Sequence, residues 1–190
     1  YSAMSLTLFT WLIKSAQQAP YIELWPPQVW TYAITVALMP VAALLFGAGL
    51  LQPNPFSIAF VATPFDPAKP GAVAITRHPL LWGLGLWGLA HVPANGDLAA
   101  VLMFGGLGSF GLIGMWAVES RKRKMLGAAQ WQQLAGPTSV LPFAALLGGR
   151  ARWPTDRGTL LGGAIGLAVA LWLVFGGHFW LFRRNPLAMF

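Results

Sequence analysis

Residues 29–51 read VWTYAITVALMPVAALLFGAGLL and contain no Asp, Glu, Lys or Arg. The run is longer than the roughly 20 apolar residues that an α-helix needs to cross the hydrocarbon core of a bilayer. Residues 159–182 form a second run of this kind. Length alone therefore predicts a membrane-spanning helix at each of these two places.

The rest of the chain has the same apolar character. Of its 190 residues, 56% are hydrophobic and 9% are charged, whereas soluble domains carry roughly 25% charged residues. Tryptophans near the ends of apolar runs are typical of the aromatic belts at a membrane interface, and they are Trp25, Trp30, Trp116, Trp131, Trp153 and Trp180. The composition predicts an all-α, polytopic transmembrane helix bundle whose first partner is the lipid bilayer.

Hydropathy and flanking charge divide the chain into about five apolar segments, which are residues 2–18, 29–51, 79–95, 98–118 and 159–182. We expect them to form a single transmembrane domain over residues 1–190. The proline-rich connection 52–71 cannot continue a helix, and we expect it to lie along the membrane interface. Because residue 1 is Tyr and the first apolar run is short and interrupted by Lys14, we expect the chain to start inside a longer protein and its first span to be incomplete.

The basic residues predict an orientation. A net charge of +7 would point to nucleic acid in a soluble chain, but here the bases flank apolar segments, so we predict no nucleic-acid partner. Seven bases lie in the connection 120–158, which the positive-inside rule places in the cytoplasm, with the bacterial inner membrane as the expected location. Lys14, Arg183 and Arg184 then fall outside, against the rule. Glu119, followed by four bases, is expected in a solvated charge cluster.

Imidazole chemistry depends on His78, His91 and His178, the three histidines of the chain. His78 and His91 are separated by thirteen positions, roughly 20 Å along a helix, so they are not expected to share a metal. His91 and His178 each precede the first polar outer residue of their segments by five or six positions, and therefore lie at matching depth. Two imidazoles at one level on different helices are what axial ligation of a b-type haem requires. The alternative is that each caps a helix end or bonds a carbonyl.

Arg77 and His78 precede Pro79, which favours the first turn of a helix and leaves free backbone donors there. We expect these groups to form an anion-binding or cofactor-binding site at a helix N-terminus, although Arg77 could also be a plain topological anchor. Asp97 is expected to cap the fourth segment. The chain has no Cys, which excludes disulfides, thiolate metal sites and cysteine nucleophiles.

Several of these motifs resemble the NnrU family of bacterial membrane proteins. They are TRHPLLWG at 76–83, LAH at 89–91, ANGDLA at 94–99, TSVLPFAA at 138–145 and HFWLF at 178–182. The resemblance covers nearly the whole chain. The family includes zeta-carotene isomerases, which bind haem b and isomerise a double bond without net redox change, while bacterial members are associated with denitrification.

The resemblance carries over to residues unevenly. His91 matches a haem-ligating histidine of the isomerases, whose partner there lies in an N-terminal helix that this chain is expected to lack. The isomerases have a Cys three positions before that histidine, whereas this chain has Gly88. The absence of this Cys counts against carotenoid isomerisation and leaves haem binding as the expectation.

A more distant similarity joins Arg77-His78-Pro79, Glu119 and residues 126–142 to membrane methyltransferases of the isoprenylcysteine type. Those enzymes bind S-adenosylmethionine at the cytoplasmic face.

Together these observations predict an NnrU-like membrane protein that binds haem b, with metal ligands His91 and His178, in nitrogen-oxide metabolism or an isomerase-like reaction. The alternatives are a membrane scaffold or assembly subunit without catalysis and, third, an S-adenosylmethionine-dependent methyltransferase. Other membrane subunits or an apolar substrate are the expected partners.

Overall fold

A computed structural model describes residues 2–190 of the protein. Five longer helices follow the hydropathy pattern: α1 (Ser2–Gln18), α2 (Val29–Leu50), α3 (Pro79–Ala94), α4 (Leu98–Ala135) and α6 (Arg157–Trp172). Shorter elements complete the chain: a 3₁₀ turn at Gly71–Ala74, α5 (Ala144–Leu147), a π-helical turn at Leu173–Gly177 and α7 (His178–Phe182). Over these residues the backbone has no strand beyond an isolated antiparallel bridge between Glu23 and Asp97. The all-α prediction is confirmed.

Three helical stretches are long and apolar enough to cross a membrane: Val29–Leu50, Leu98–Ala135 and Arg157–Phe182. The chain is therefore a multi-pass integral membrane protein. With 17 and 16 residues, α1 and α3 are shorter, and their crossing stays a prediction.

Four of the five longer helices pack side by side in the order α6, α2, α3, α4, and each contacts the next. Glycines allow the backbones to meet, as is common between membrane helices. A Cβ atom at Gly47 would overlap the carbonyl oxygen of Gly162 where α2 crosses α6, and a Cβ atom at Gly88 would lie 2.6 Å from the Gly108 nitrogen where α3 crosses α4. The second crossing fixes the position of α3 against α4. A histidine lies at each end of α3, His78 at its N-cap and His91 near its last residue.

Local signals in the sequence explain where these helices begin. Pro79 occupies the first turn of α3, where its missing N–H has no consequence. The Asp97 carboxylate accepts from the Ala100 N–H, 3.0 Å away, and caps α4 as expected. Asp156 caps α6 in the same way through the Thr159 N–H.

The fourth segment does not end at residue 118. α4 continues to Ala135, with a break at Gly127, whose φ is 75°, so the first part of the expected 120–158 connection is helical. The reason is tertiary, because Trp131 and Ala135 pack with Phe56 and Val73 in a small core. Phe56, in the proline-rich connection 52–71, is fully buried in that core, so this part of the connection packs against the protein itself.

The last apolar segment is also interrupted. The π-helical turn ends in Gly176 and Gly177, and Gly176 has a φ of 155°, a conformation that L side chains rarely adopt. The helix axis changes direction there, so α7 is free to leave the line of α6. His178, the first residue of α7, is thereby directed to a different part of the bundle.

Candidate functional site

His91 and His178 are neighbours in space. Their ring centroids are 6.5 Å apart and the ring planes differ by 21°. His91 lies near the end of α3, and His178 is brought to it by the turn at Gly176. The two histidines are predicted at one level from their distances to the segment ends, and in the structure their rings are neighbours.

Each of the two rings is oriented by a backbone carbonyl. The Nδ1 atom of His91 lies 2.7 Å from the Trp87 carbonyl oxygen, and that of His178 lies 2.9 Å from the Arg184 carbonyl oxygen. A carbonyl can only accept, so Nδ1 carries the proton in both rings and Nε2 keeps its lone pair. Within the described part of the chain neither Nε2 has a hydrogen-bond partner. This tautomer is the one that metal-binding histidines usually have.

Aromatic rings pack around the pair. Phe104 of α4 stacks on His91 with centroids 4.6 Å apart, and Trp87 lies 5.2 Å from the same ring. Phe182 lies 5.0 Å from His178. These contacts restrain both imidazoles, which are half-buried, and give the site an apolar wall.

The donor set fits a haem better than a bare metal ion. Residues 2–190 contain no group of three or more His, Cys, Asp or Glu side chains that could hold a metal ion. A porphyrin supplies four ligands itself and asks the protein for two at most. Two Nε2 atoms on imidazole rings that pack against aromatic side chains fit that requirement.

Gly88, three positions before His91 on α3, lies where the family resemblance implied a cysteine. Gly88 is buried against α4, and a Cβ atom there would lie 2.7 Å from the Gly108 Cα and 2.8 Å from the Phe104 carbonyl oxygen. A cysteine at residue 88 would force α3 and α4 apart. The packing of this chain therefore excludes a thiolate ligand at that position.

The opposite end of α3 carries a second polar cluster, formed by Arg77, His78 and Glu119. The Arg77 guanidinium donates to Glu119 Oε1, and the Nε2 atom of His78 lies 3.0 Å from Glu119 Oε2. The expectation that Glu119 belongs to a solvated cluster with the following bases is wrong, because its carboxylate turns inward to Arg77 and His78. The Glu119 carboxylate thus occupies the position beside Arg77 where a bound anion was expected.

Arg77 holds this end of the molecule together. Its Nε donates to the Thr138 hydroxyl at 2.9 Å, and its guanidinium lies over the rings of Phe56 and Trp131 at 5.5 and 5.3 Å. Burial lowers the pKa of Arg77 and the Glu119 carboxylate opposes that change, so the guanidinium remains charged. Arg77 is therefore a structural cation as well as a member of the cluster.

His78 is fully buried. Burial lowers its pKa, and the hydrogen bond to Glu119 offsets only part of that effect, so the neutral imidazole is favoured. Because Nε2 donates to the carboxylate, Nδ1 is a lone-pair acceptor, and it has no partner in the described structure. His78 shares no partner with His91, so the two histidines of α3 belong to separate sites.

A groove of about 910 Å³ opens beside this cluster. Glu119 lies in its wall, together with Trp116, Ser120, Arg123, Lys124, Gly127, Ala128, Val140 and Leu141. The Val140 backbone is fixed, because its carbonyl accepts from the Thr76 hydroxyl at 2.8 Å and the Trp82 indole at 2.9 Å. The groove is thus formed between a helix and a rigid loop.

Sequence reasoning missed the role of Glu119 and the two aromatic neighbours of His91. The signal for Trp87 was present, since residues four apart lie on one face of a helix. No sequence signal pairs Phe104 with His91 or Glu119 with Arg77, because these contacts join different helices.

Comparisons with known proteins identify relatives of this chain by sequence. The family model described as "NnrU protein" matches residues 1–186. The chain is 37% identical over 110 residues to the "15-cis-zeta-carotene isomerase, chloroplastic" of Zea mays and 34% identical over 110 residues to that of Arabidopsis thaliana. Each match covers 56% of this chain and 30% of the relative, so the chain spans less than a third of those proteins. No solved structure matches.

Proposed function

The chain belongs to the NnrU family, and on that basis we propose that it is a haem b protein of the membrane, with an isomerase-like activity on an apolar substrate and with His91 and His178 as the haem ligands. The observation that carries the proposal is the geometry of the two histidines. The ring centroids of His91 in α3 and His178 in α7 are 6.5 Å apart. In each imidazole a backbone carbonyl fixes the proton on Nδ1, so that Nε2 keeps its lone pair.

The chemistry of the site follows from its own residues. When bound, a haem supplies an iron that can act as a Lewis acid or exchange an electron. The carbonyls of Trp87 and Arg184 hold the two imidazoles in the ligating tautomer. Phe104 holds the His91 ring from its face and limits the access of water.

The proposed substrate class follows from the surroundings of α7. Phe175, Phe179 and Trp180 are exposed beside His178, which favours an apolar molecule that arrives from the bilayer. The two similar proteins are zeta-carotene isomerases by name, which supports a double-bond rearrangement. Gly88 leaves no space for a cysteine side chain, so the residues that would hold the haem are His91 and His178.

The absorption spectrum of the purified protein tests the proposal. We expect a Soret band, and split bands in the visible region on reduction. His91→Ala and His178→Ala should each lose most of the haem, while the control His78→Gln should retain it. A featureless spectrum of the wild type would contradict the proposal and favour the scaffold alternative. Loss of haem in His91→Ala with full retention in His178→Ala would contradict His178 as the second ligand.

The cluster at the other end of α3 favours another candidate, methyl transfer from S-adenosylmethionine. Its support is that Arg77, His78 and Glu119, the residues of the methyltransferase resemblance, meet beside an open groove. It stays the third alternative, because Arg123 and Lys124 make the groove basic, which does not suit a sulfonium cation. Calorimetric titration with S-adenosylmethionine tests it: binding that Glu119→Gln abolishes would support methyl transfer, and no heat of binding at millimolar ligand would exclude it.

A further inference from the structure

We propose that the groove beside Glu119 is a binding site for an anionic phospholipid, with the phosphate on Arg123 and Lys124 and an acyl chain along Trp116 and Leu141. This inference does not depend on haem or on the isomerase-like activity. It concerns the end of the bundle that lies opposite the His91 and His178 site along α3.

The charges of the groove favour an anion. Arg123 and Lys124 lie in its wall, and among residues 2–190 neither has an ion-pair partner. The charge of Glu119 is offset by Arg77, which is held against it in the cluster. Two uncompensated cations therefore face the groove, and lysines and arginines at the end of a membrane helix are typical contacts of anionic lipid headgroups.

The apolar part of the groove is continuous with a face of α4 that points away from the bundle. Phe110, Ile113 and Trp116, at helical spacing, are 76%, 71% and 80% exposed. The same face continues through Ser120 to Arg123 and Lys124, since residues four, seven and eight positions after Trp116 lie on one side of a helix. An acyl chain that lies along this stripe would bring its phosphate to the two bases.

The far wall gives the site its shape. α4 breaks at Gly127, with a φ of 75°, and Val140 and Leu141 stand opposite the helix across the groove. Leu141 is 65% exposed, so the groove offers an apolar contact on this side too. A plain surface patch of lysines would bind headgroups without this second wall.

Native mass spectrometry of the full chain in detergent tests the proposal, with dimyristoyl phosphatidylglycerol as the probe and the phosphatidylcholine of the same chains as the reference. We expect phosphatidylglycerol to bind the wild type more tightly. Each basic residue near an anionic headgroup accounts for about a fivefold change in affinity, so Arg123→Ala with Lys124→Ala should weaken binding about 25-fold.

The chain provides a matched control in Arg121→Ala with Lys122→Ala, which removes the same charge from the same helix outside the groove. This variant should bind phosphatidylglycerol within about threefold of the wild type. Equal loss in both double variants would overturn the proposal, because it would mean general electrostatic attraction. Equal binding of the two lipids would overturn it as well. Displacement of the lipid by millimolar glycerol phosphate or by S-adenosylmethionine would assign the groove to a soluble ligand and likewise overturn it.

Discussion

Replacing Glu119 by Ala should destabilise the protein strongly, because Arg77 would lose its counter-ion in a buried position. The Arg77 side chain is only 11% exposed and that of Glu119 is 24% exposed. Breaking a buried ion pair by removing one partner costs about 3–5 kcal/mol. Glu119 is partly solvated and Arg77 keeps Thr138, Phe56 and Trp131 as neighbours, so we expect the lower end of that range, about 3 kcal/mol.

For a chain of this length 1 kcal/mol corresponds to about 2–4 °C in the melting temperature. Glu119→Ala should therefore melt about 6–12 °C below the wild type in a thermal scan of the detergent-purified protein followed by circular dichroism. Glu119→Gln keeps the volume and an acceptor oxygen, and should show about half of that shift.

The matched control is Glu23→Ala, at the other glutamate of the chain, whose side chain is exposed. It should change the melting temperature by no more than about 2 °C, since exposed substitutions stay within about 0.5 kcal/mol. Replacing both partners with apolar residues, Arg77→Met with Glu119→Leu, should recover part of the loss, because no charge is then left unpaired. A Glu119→Ala protein as stable as Glu23→Ala would refute the buried ion pair.

Three further outcomes are expected. Because burial lowers the pKa of His78 in the folded state, the unfolded chain binds the proton first, and the free energy of unfolding should fall as the pH drops below about 6.5, by at most about 1.4 kcal/mol per pH unit. The melting temperatures of the wild type and His78→Gln, measured between pH 7.5 and 5, should therefore converge at low pH. Parallel curves would contradict this prediction. Gly162→Leu, where a Cβ atom would meet the Gly47 carbonyl, should cost about 1–3 kcal/mol or more, whereas Gly106→Leu, which has open space, should melt close to the wild type; equal melting temperatures would contradict the close crossing. A cysteine introduced at Gly149 should react with impermeant maleimide only from the cytoplasmic side, and labelling of intact cells from outside would reverse the predicted orientation.

Hydropathy located the helices well because each of them contains a long apolar run that is continuous in the sequence. It failed for the second half of α4, where polar and basic residues alternate with the few apolar ones that pack. Leu126, Trp131 and Leu134 contact the core around Phe56, and their near-helical spacing was the available signal. Mean hydropathy over a stretch as long as a membrane span does not reveal such a half-buried helix.

The candidate sites were predictable to different degrees. Equal depth follows from counting residues back to the segment ends, so His91 and His178 could be placed at one level. Their lateral approach depends on the π-helical turn before α7, and the sequence marks that only as Gly176-Gly177. The pairing of Arg77 with Glu119 joins α4 to the residues before α3, and hydropathy contains no information about partners between helices.

The short length of α3 has a consequence for the surrounding lipid. Its 16 residues extend about 24 Å, against about 30 Å of hydrocarbon in a typical bilayer. If α3 crosses the bilayer as predicted, its glycine contacts with α2 and α4 prevent it from lengthening or sliding, and local thinning of the bilayer is one expected response to this hydrophobic mismatch. Headgroups and water would then lie closer to both ends of α3, so we expect bilayer thickness to influence how readily the two chemically different sites are reached from opposite sides of the membrane.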